Sequence, residues 1–286
     1  MSKSIWIYAD TSNSELKKRT AFVSQVFSEK GLKVQKNVSD TTDIVFCLGG
    51  DGSYLSAIRQ IGSVRHKAVV AGAHSSSGLG FLYPVSFPKE ESLERQWAER
   101  LADLFLKDKY ETEARFGLEA TLEKNSKQFW GMNDLVFCKG SLARIIKIRV
   151  WIDNNLVYKE LKGDGLIVSS PTGSTAYSLS AGGPVIAPGL KALLMTPICP
   201  HEIALRPLVV ESKSVIRIEI LKGRSHSHLT EDGQKVHELH EGDVVEIRRA
   251  QEPIKWWIPD SPSLETKNFY ALLSSKIGFG GDRFAR

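Results

Sequence analysis

The sequence predicts two domains, an α/β domain built on a mostly parallel sheet followed by a β-rich domain, and three observations carry this. Apolar strand-like runs alternate with amphipathic helical ones over the first 108 residues. From residue 111 the texture changes to short strand-like runs separated by turn dipeptides. The chain of 286 residues is also longer than most single domains, and its 42% hydrophobic and 25% charged residues supply a sizeable core.

Taken in order, residues 5–9 form a short β-branched and aromatic run, and Ser12 to Glu15 then gives a capping-box pattern, so a strand is followed by a helix. Leu16, Val23, Val26 and Phe27 share one helical face, and Gly31 stands where that helix ends. A strand is expected over 32–38 and a continuously apolar one over 43–48. A glycine turn, a helix over 53–61 and a further strand over 68–72 follow. This β-α-β-β-α-β rhythm is that of a helix-covered parallel sheet, and a polar helix over 89–106 closes the domain. Beyond it, strands are expected over 118–122, 145–152, 166–169, 205–210, 215–220 and 244–248. Turns fall at Asp153-Asn154-Asn155, Asp232-Gly233 and Glu241-Gly242-Asp243.

The net charge of +5 suits an anionic partner, but the Lys and Arg residues are scattered, which fits nucleotides better than nucleic acid. No stretch approaches the roughly 18 apolar residues that span a membrane. The chain passes from Met-Ser-Lys-Ser straight into an apolar strand without a signal-peptide core, and a cytoplasmic protein is expected. Cys47, Cys138 and Cys199 have no Cys-x-x-Cys spacing and read as reduced, buried residues. His226 and His228 fall on one side of a strand, with His237 and His240 soon after, so zinc is considered there. No Cys or carboxylate sits at finger spacing, which favours solvent-facing histidines on a hairpin and no metal ligands.

The first chemical feature is Leu48-Gly49-Gly50-Asp51-Gly52-Ser53, at the carboxyl end of a buried strand, where open α/β sheets bind ligands. Glycines let backbone N–H groups approach phosphate oxygens at a helix N-terminus. No Gly-Lys-Ser/Thr follows, so the lysine of that motif is missing and simple P-loop NTPase chemistry is not expected. Asp51 would repel a phosphate unless it binds a metal or takes a proton; it is either catalytic or a helix cap. The second feature is the run 163–184, in which a buried strand delivers the turn Pro171-Thr172-Gly173-Ser174-Thr175. Its hydroxyls Ser169, Ser170, Thr172, Ser174 and Thr175 suit the polar edges of a dinucleotide, and Tyr177 offers a stacking face, unless the turn is a hydroxyl-rich helix cap over a core tyrosine.

With Gly49-Gly50-Asp51-Gly52, Asn133-Asp134, the 163–184 run, Cys199-Pro200-His201, Arg206-Pro207, Asp232-Gly233-Gln234 and Lys276-Ile277-Gly278-Phe279-Gly280 in that order, the sequence resembles the NAD kinase (ATP-NAD kinase) family. The resemblance implies a Rossmann-like N-terminal domain, residues 1–108 completed by a returning segment 265–286, and a sandwich-like NAD-binding domain over 109–264. It implies phosphorylation of the 2′-hydroxyl of NAD's adenosine ribose by ATP, with Asp51 as general base. Gly49, Gly50, Gly52 and Ser53 would take the ATP phosphates with a divalent cation such as magnesium. Asn133 and Asp134 would hold the nucleoside, Phe81 would pack on a base, and Gly52, Asp164, Thr172, Thr175, Ala176, Tyr177 and Ser180 would line the NAD pocket. The partners implied are NAD, ATP and further copies of the chain in a homodimer or homotetramer.

Three positions depart from the family pattern. Ser53 stands where Thr is usual, Asp134 where Glu is commoner, and His74 at an Asn position in a loop one residue longer. A lipid kinase of the diacylglycerol or sphingosine type shares the glycine motif but gives no reason for the 172–177 turn. A catalytically silent nucleotide-binding regulator is the non-enzyme alternative, against which an intact Asp51 argues.

Overall fold

The computed structural model describes residues 2–10, 12–62, 66–74, 80–83, 85–140, 145–223, 226–259, 264 and 268–277. The chain forms two compact units, one running to Ala114 and resumed from Pro253, the other Arg115–Glu252. The first opens with β1 (Ser4–Ala9), α1 (Ser14–Glu29), β2 (Lys33–Gln35), β3 (Ile44–Gly49), α2 (Asp51–Gln60), β4 (Val69–His74), β5 (Val85–Ser86), α3 (Glu91–Leu106) and β6 (Tyr110–Arg115). The second holds β7 (Leu118–Leu122), β8 (Lys127–Gly131), β9 (Asp134–Lys139), β10 (Ile146–Ile152), β11 (Asn155–Gly163) and β12 (Gly165–Ser169). A 3-10 turn (Thr172–Thr175), α4 (Tyr177–Ser180), β13 (Ala192–Ile198), β14 (Leu208–Glu211), β15 (Ile216–Ile220), β16 (Ser227–Glu231), β17 (Lys235–Leu239) and β18 (Val244–Arg249) complete it. The chain then adds β19 (Ile254–Pro259) and α5 (Phe269–Ile277).

In the first unit the sheet order is β2-β1-β3-β4-β19-β6, with β5 beside β4. The pairings β1 with β2, β1 with β3, β3 with β4, β4 with β5 and β4 with β19 are all parallel. Such strands are covered on both faces, which is why β3 is buried along its whole length and reads as an unbroken apolar run. Phe27, Phe46, Trp97, Phe105 and Trp257 form the aromatic centre of the core, with Phe27 edge-on to Phe46 at 5.6 Å. Helix α1 is capped by Asn13 rather than Ser12: the Asn13 side chain accepts from the amides of Glu15 and Leu16 at 3.0 and 3.1 Å.

Strands β6 and β19 belong to this sheet, so residues 109–114 and 253–259 join the first unit rather than the second. Neither was readable locally. Half of the β6 sequence Tyr-Glu-Thr-Glu-Ala-Arg is charged, and β19 gains its place by pairing with β4, Lys255 opposite Val69 and Trp256 opposite Val70.

The second unit is a sandwich of two six-stranded sheets, β11-β10-β15-β18-β7-β8 and β14-β13-β12-β9-β16-β17, with antiparallel pairing between registered neighbours. Alternate residues such as Ile146, Ile148 and Val150 on one sheet and Leu135, Phe137, Leu166 and Val168 on the other fill the core between them. The strand expected over 205–210 starts at Leu208 instead, since Pro207 has no N–H to give a ladder. Of the cysteines, Cys47 is buried but Cys138 is half-buried and Cys199 exposed. Cys199 follows the end of β13 at φ 43°, a turn that carries it out of the sheet. Among the described residues no helix is long and apolar enough to cross a membrane.

The C-terminal stretch contributes to the first unit's core through Leu264, 3% exposed. Leu272 and Leu273 of α5 are buried and Tyr270 is exposed, while Phe279 lies outside the described residues. Truncating a fully buried leucine costs about 2–5 kcal/mol, so Leu264→Ala should lower the urea midpoint by that amount of stability. An unchanged midpoint would show that Leu264 is not docked.

Candidate functional site

In the first unit the candidate site is the turn from β3 into α2. Gly49 ends the strand at φ 151°, and a Cβ there would lie 2.6 Å from Ser53 Oγ, so a side chain is excluded. Gly50 is the N-cap and Asp51 the first helical residue. The Asp51 carboxylate turns away from its own helix: its two oxygens accept the amides of Phe81 and Leu82, each at 3.0 Å. The helix-cap reading of Asp51 is thereby replaced by a clamp that fixes the carboxylate plane and ties the 80–82 segment to the glycine turn.

Behind that turn stands Tyr83. Its hydroxyl donates to the Gly50 carbonyl at 2.9 Å, lies 3.3 Å from Cys47 Sγ, and its ring meets Tyr54 edge-on at 4.9 Å. Burial raises the Tyr83 phenol far above its ordinary value and pushes the Cys47 thiol up to about 12, so both stay protonated as a neutral buttress. Gly72 gives the space, since a Cβ there would fall 2.8 Å from the Tyr83 ring. His74 also lies against the site's rim, its ring under Gly80, where a Cβ would approach to 2.5 Å.

In the second unit the candidate residues gather at the ends of β9 and β12, where Asp134 and Ser169 are direct cross-strand partners. Asp232 organises this end. Its carboxylate accepts the amides of Met132, Asn133 and Asp134 at 3.0, 2.7 and 3.2 Å, and its own amide donates to the Asp134 carbonyl at 3.0 Å. The turn 171–175 packs onto the same stretch: the Ser170 amide donates to the Asn133 carbonyl at 2.9 Å, and a Cβ on Gly173 would sit 2.0 Å from that oxygen.

The hydroxyls divide into two sets. Ser170 Oγ donates to the Met132 carbonyl at 2.6 Å, and Ser174 Oγ is held between the Pro171 and Ile186 backbones, so these two stabilise the turn rather than face a ligand. Ser169 Oγ and Asn133 Oδ1 are buried and have no hydrogen-bond partner. Native interiors rarely leave such atoms unpaired, and both fit contacts with a bound polar molecule. Thr172 is buried, Thr175 and Ala176 are half-buried, and Tyr177 and Ser180 are exposed. Asp164 is engaged by Lys139 at 2.6 Å. In the first unit Gly50, Ser53 and Phe81 are half-buried and Gly52 is exposed.

Asp134 is the most perturbed of these groups: it is 4% exposed, and burial, with the charge of Asp232 adding to it, raises its carboxyl from 3.8 to about 7. Tyr83 and the clamping role of Asp232 had no signal in the sequence beyond the Asp-Gly turn, which occupies φ 48° and 64°.

The chain is similar to known proteins in sequence and in fold. The ATP-NAD kinase C-terminal domain family matches residues 132–258. The chain is 38% identical over 272 residues to the NAD kinase of Syntrophotalea carbinolica, covering 90% of this chain and 88% of that one. It is 36% identical to the NAD kinase of Trichlorobacter lovleyi, over 86% and 82% of the two chains. In fold it is similar to yeast NADH kinase complexed with NADH, with a TM-score of 0.83 at 22% identity, covering 98% of this chain and 89% of that one. An NAD kinase from Archaeoglobus fulgidus in complex with ATP gives 0.74 at 20% identity, covering 96% and 98%.

Because the folded protein holds the Asp134 proton up to about pH 7 and the unfolded chain releases it near 3.8, this group favours folding most below pH 3.8. That contribution is lost as the pH rises through 7. Asp134→Asn, neutral at every pH, should therefore exceed the parent by roughly 1–2 kcal/mol at pH 5 and by up to roughly 4 kcal/mol at pH 8 in ligand-free urea unfolding. Parallel stability curves from pH 5 to 8 would show that the carboxyl does not titrate in that range.

Proposed function

Because this chain belongs to the NAD kinase family, its reaction is the ATP-dependent phosphorylation of NAD, and we propose that Asp51 accepts the proton of the 2′-hydroxyl on the adenosine ribose. The observation that supports this role is the double amide clamp from Phe81 and Leu82. It holds the carboxylate in one orientation while each oxygen keeps a further lone pair to accept a proton. As the proton moves to Asp51, the ribose oxygen bonds to the γ-phosphorus of ATP and the bond to the bridging oxygen of ADP breaks, giving NADP and ADP.

The remaining roles follow from the chemistry of each group. Gly49, Gly50, Gly52 and Ser53 receive the ATP phosphates at the positive end of α2. Asn133 and Asp134 hold the nucleoside, with Ser169 Oγ and Asn133 Oδ1 gaining the partners they lack. Phe81 packs on a base, and Asp164, Thr172, Thr175, Ala176, Tyr177 and Ser180 contact the rest of the dinucleotide. The carboxyl of Asp134, buried and raised to about 7, can donate as well as accept near neutrality, which suits a group that reads a hydroxyl. Magnesium fits a turn that offers a carboxylate beside bound phosphates, since this ion takes one or two carboxylates and substrate phosphate oxygens. Bound with ATP, it would offset the charge that develops on the phosphates. A cytoplasmic location and a homodimeric or homotetrameric assembly belong to the same proposal.

The test combines an ATP- and NAD-dependent assay for NADP with calorimetric NAD titration. Asp51→Asn should lower turnover by roughly 10²–10⁴ while NAD affinity changes little. The substitution also replaces one amide acceptor with an NH2, so Asp51→Glu serves as a second variant that keeps the base and displaces it. Near-normal turnover in Asp51→Asn would remove the proposed base, and loss of NAD binding in step with turnover would make Asp51 a structural clamp instead.

A further inference from the structure

Four of the seven histidines in the chain, His226, His228, His237 and His240, lie on the β16–β17 hairpin, and the pleat sorts them. Ser227 pairs with Leu239 and His228 with Glu238. Ser227, Leu229 and Glu231 point inward, as does Leu239, so period-two alternation sends His226 and His228 outward together with Glu238 and His240. His237 goes the other way, packs at a tilt against Phe129 with ring centroids 4.9 Å apart and meets Glu231 Oε1 at 2.6 Å. The pair joined on the outer face is therefore His226 with His240, across the strands, and not His226 with His228 along one. Their ring centroids are 6.0 Å apart.

Glu238 completes the cluster. His226 Nδ1 lies 2.8 Å from Glu238 Oε1, and one ligand atom from each of His226, Glu238 and His240 falls within 4.8 Å of the others. Ligand atoms about a tetrahedral zinc, with bonds of about 2.0–2.2 Å, sit roughly 3.5 Å apart, a contraction that rotation of these exposed side chains can supply. Both histidine backbones are already anchored. The Gly140 amide donates to the His226 carbonyl at 2.8 Å, and the His240 amide donates to Asp243 Oδ2 at 2.9 Å. A surface cavity of about 350 Å³ borders both rings.

We propose that His226, Glu238 and His240 form a binding site for a divalent transition metal of the zinc class on the outer face of the β16–β17 hairpin. Two imidazoles and one carboxylate are the donor set of three-ligand zinc sites, which leave a fourth position for water. Imidazole donors select zinc-class ions over magnesium and calcium, which take oxygen ligands. The ion cross-links the open end of a hairpin whose turn carries Asp232, and so steadies the strand that delivers the clamp on residues 132–134.

The experiment uses the full-length protein, stripped with a chelator and free of nucleotide. Zinc titration by calorimetry should give one site per chain. Cobalt should produce visible d–d absorption, and the melting temperature should rise with zinc. The double variant His226→Ala/His240→Ala should lose the cobalt spectrum and bind zinc at least about 10–100-fold more weakly, since even outer-sphere partners are worth that much. Its metal-free melting temperature should match the parent, and His66→Ala, a substitution in the first unit, should bind as the parent does. Absence of zinc binding in the parent, or equal affinity in the double variant, would overturn the proposal.

Discussion

Asp232 directs its charge onto the protein's own backbone, and the candidate site of the second unit follows from that interaction. Three consecutive amides, those of Met132, Asn133 and Asp134, point to one side of an irregular segment where no strand can take them, and buried N–H groups must be paired. The carboxylate pairs all three and so freezes the segment. That leaves the Asp134 carboxyl buried beside a second negative charge and leaves Asn133 Oδ1 without a partner. Both are costs to the free protein, and both are the expected mark of a surface shaped for another molecule rather than for its own stability.

The first unit solves the same problem at Asp51. There the carboxylate takes two amides from the 81–82 segment instead of capping its helix, and Tyr83 takes the Gly50 carbonyl from behind. In each unit a carboxylate converts a loop of unpaired amides into a fixed frame. Charge-assisted bonds of this kind are roughly twice as strong as neutral ones, enough to hold a glycine-rich turn that has few side chains of its own to pack.

Legibility in the sequence tracked how local each determinant is. Strands β7, β10, β15 and β18 were readable because one face meets the core and the other does not, so their residues alternate. Strand β9 was not, since Asp134, Leu135, Val136 and Phe137 are all buried and show no period. Strands β6 and β19 depend on partners far away in the chain. Within the candidate site, Gly49 to Ser53 and the 163–184 run stood out because special residues cluster there. The roles of Ser170, Ser174 and Tyr83 did not, because a hydroxyl in the sequence carries no sign of whether its partner is a backbone carbonyl or a ligand. Asp232 was legible as a turn residue, but its second task is set by segments about a hundred positions away.

The bare Cα of Gly173 bears on how this sequence can drift. With the Asn133 carbonyl 2.0 Å from where a methyl would stand, no other residue enters position 173 unless the 132–134 segment retreats, and Asp232 holds that segment in place. Three stretches distant in the chain are thus epistatic: a substitution in one is tolerated only on a background already altered in the others. Laboratory evolution of altered nucleotide preference would stall if it randomised any one of them alone, and libraries that vary all three together are the accessible route.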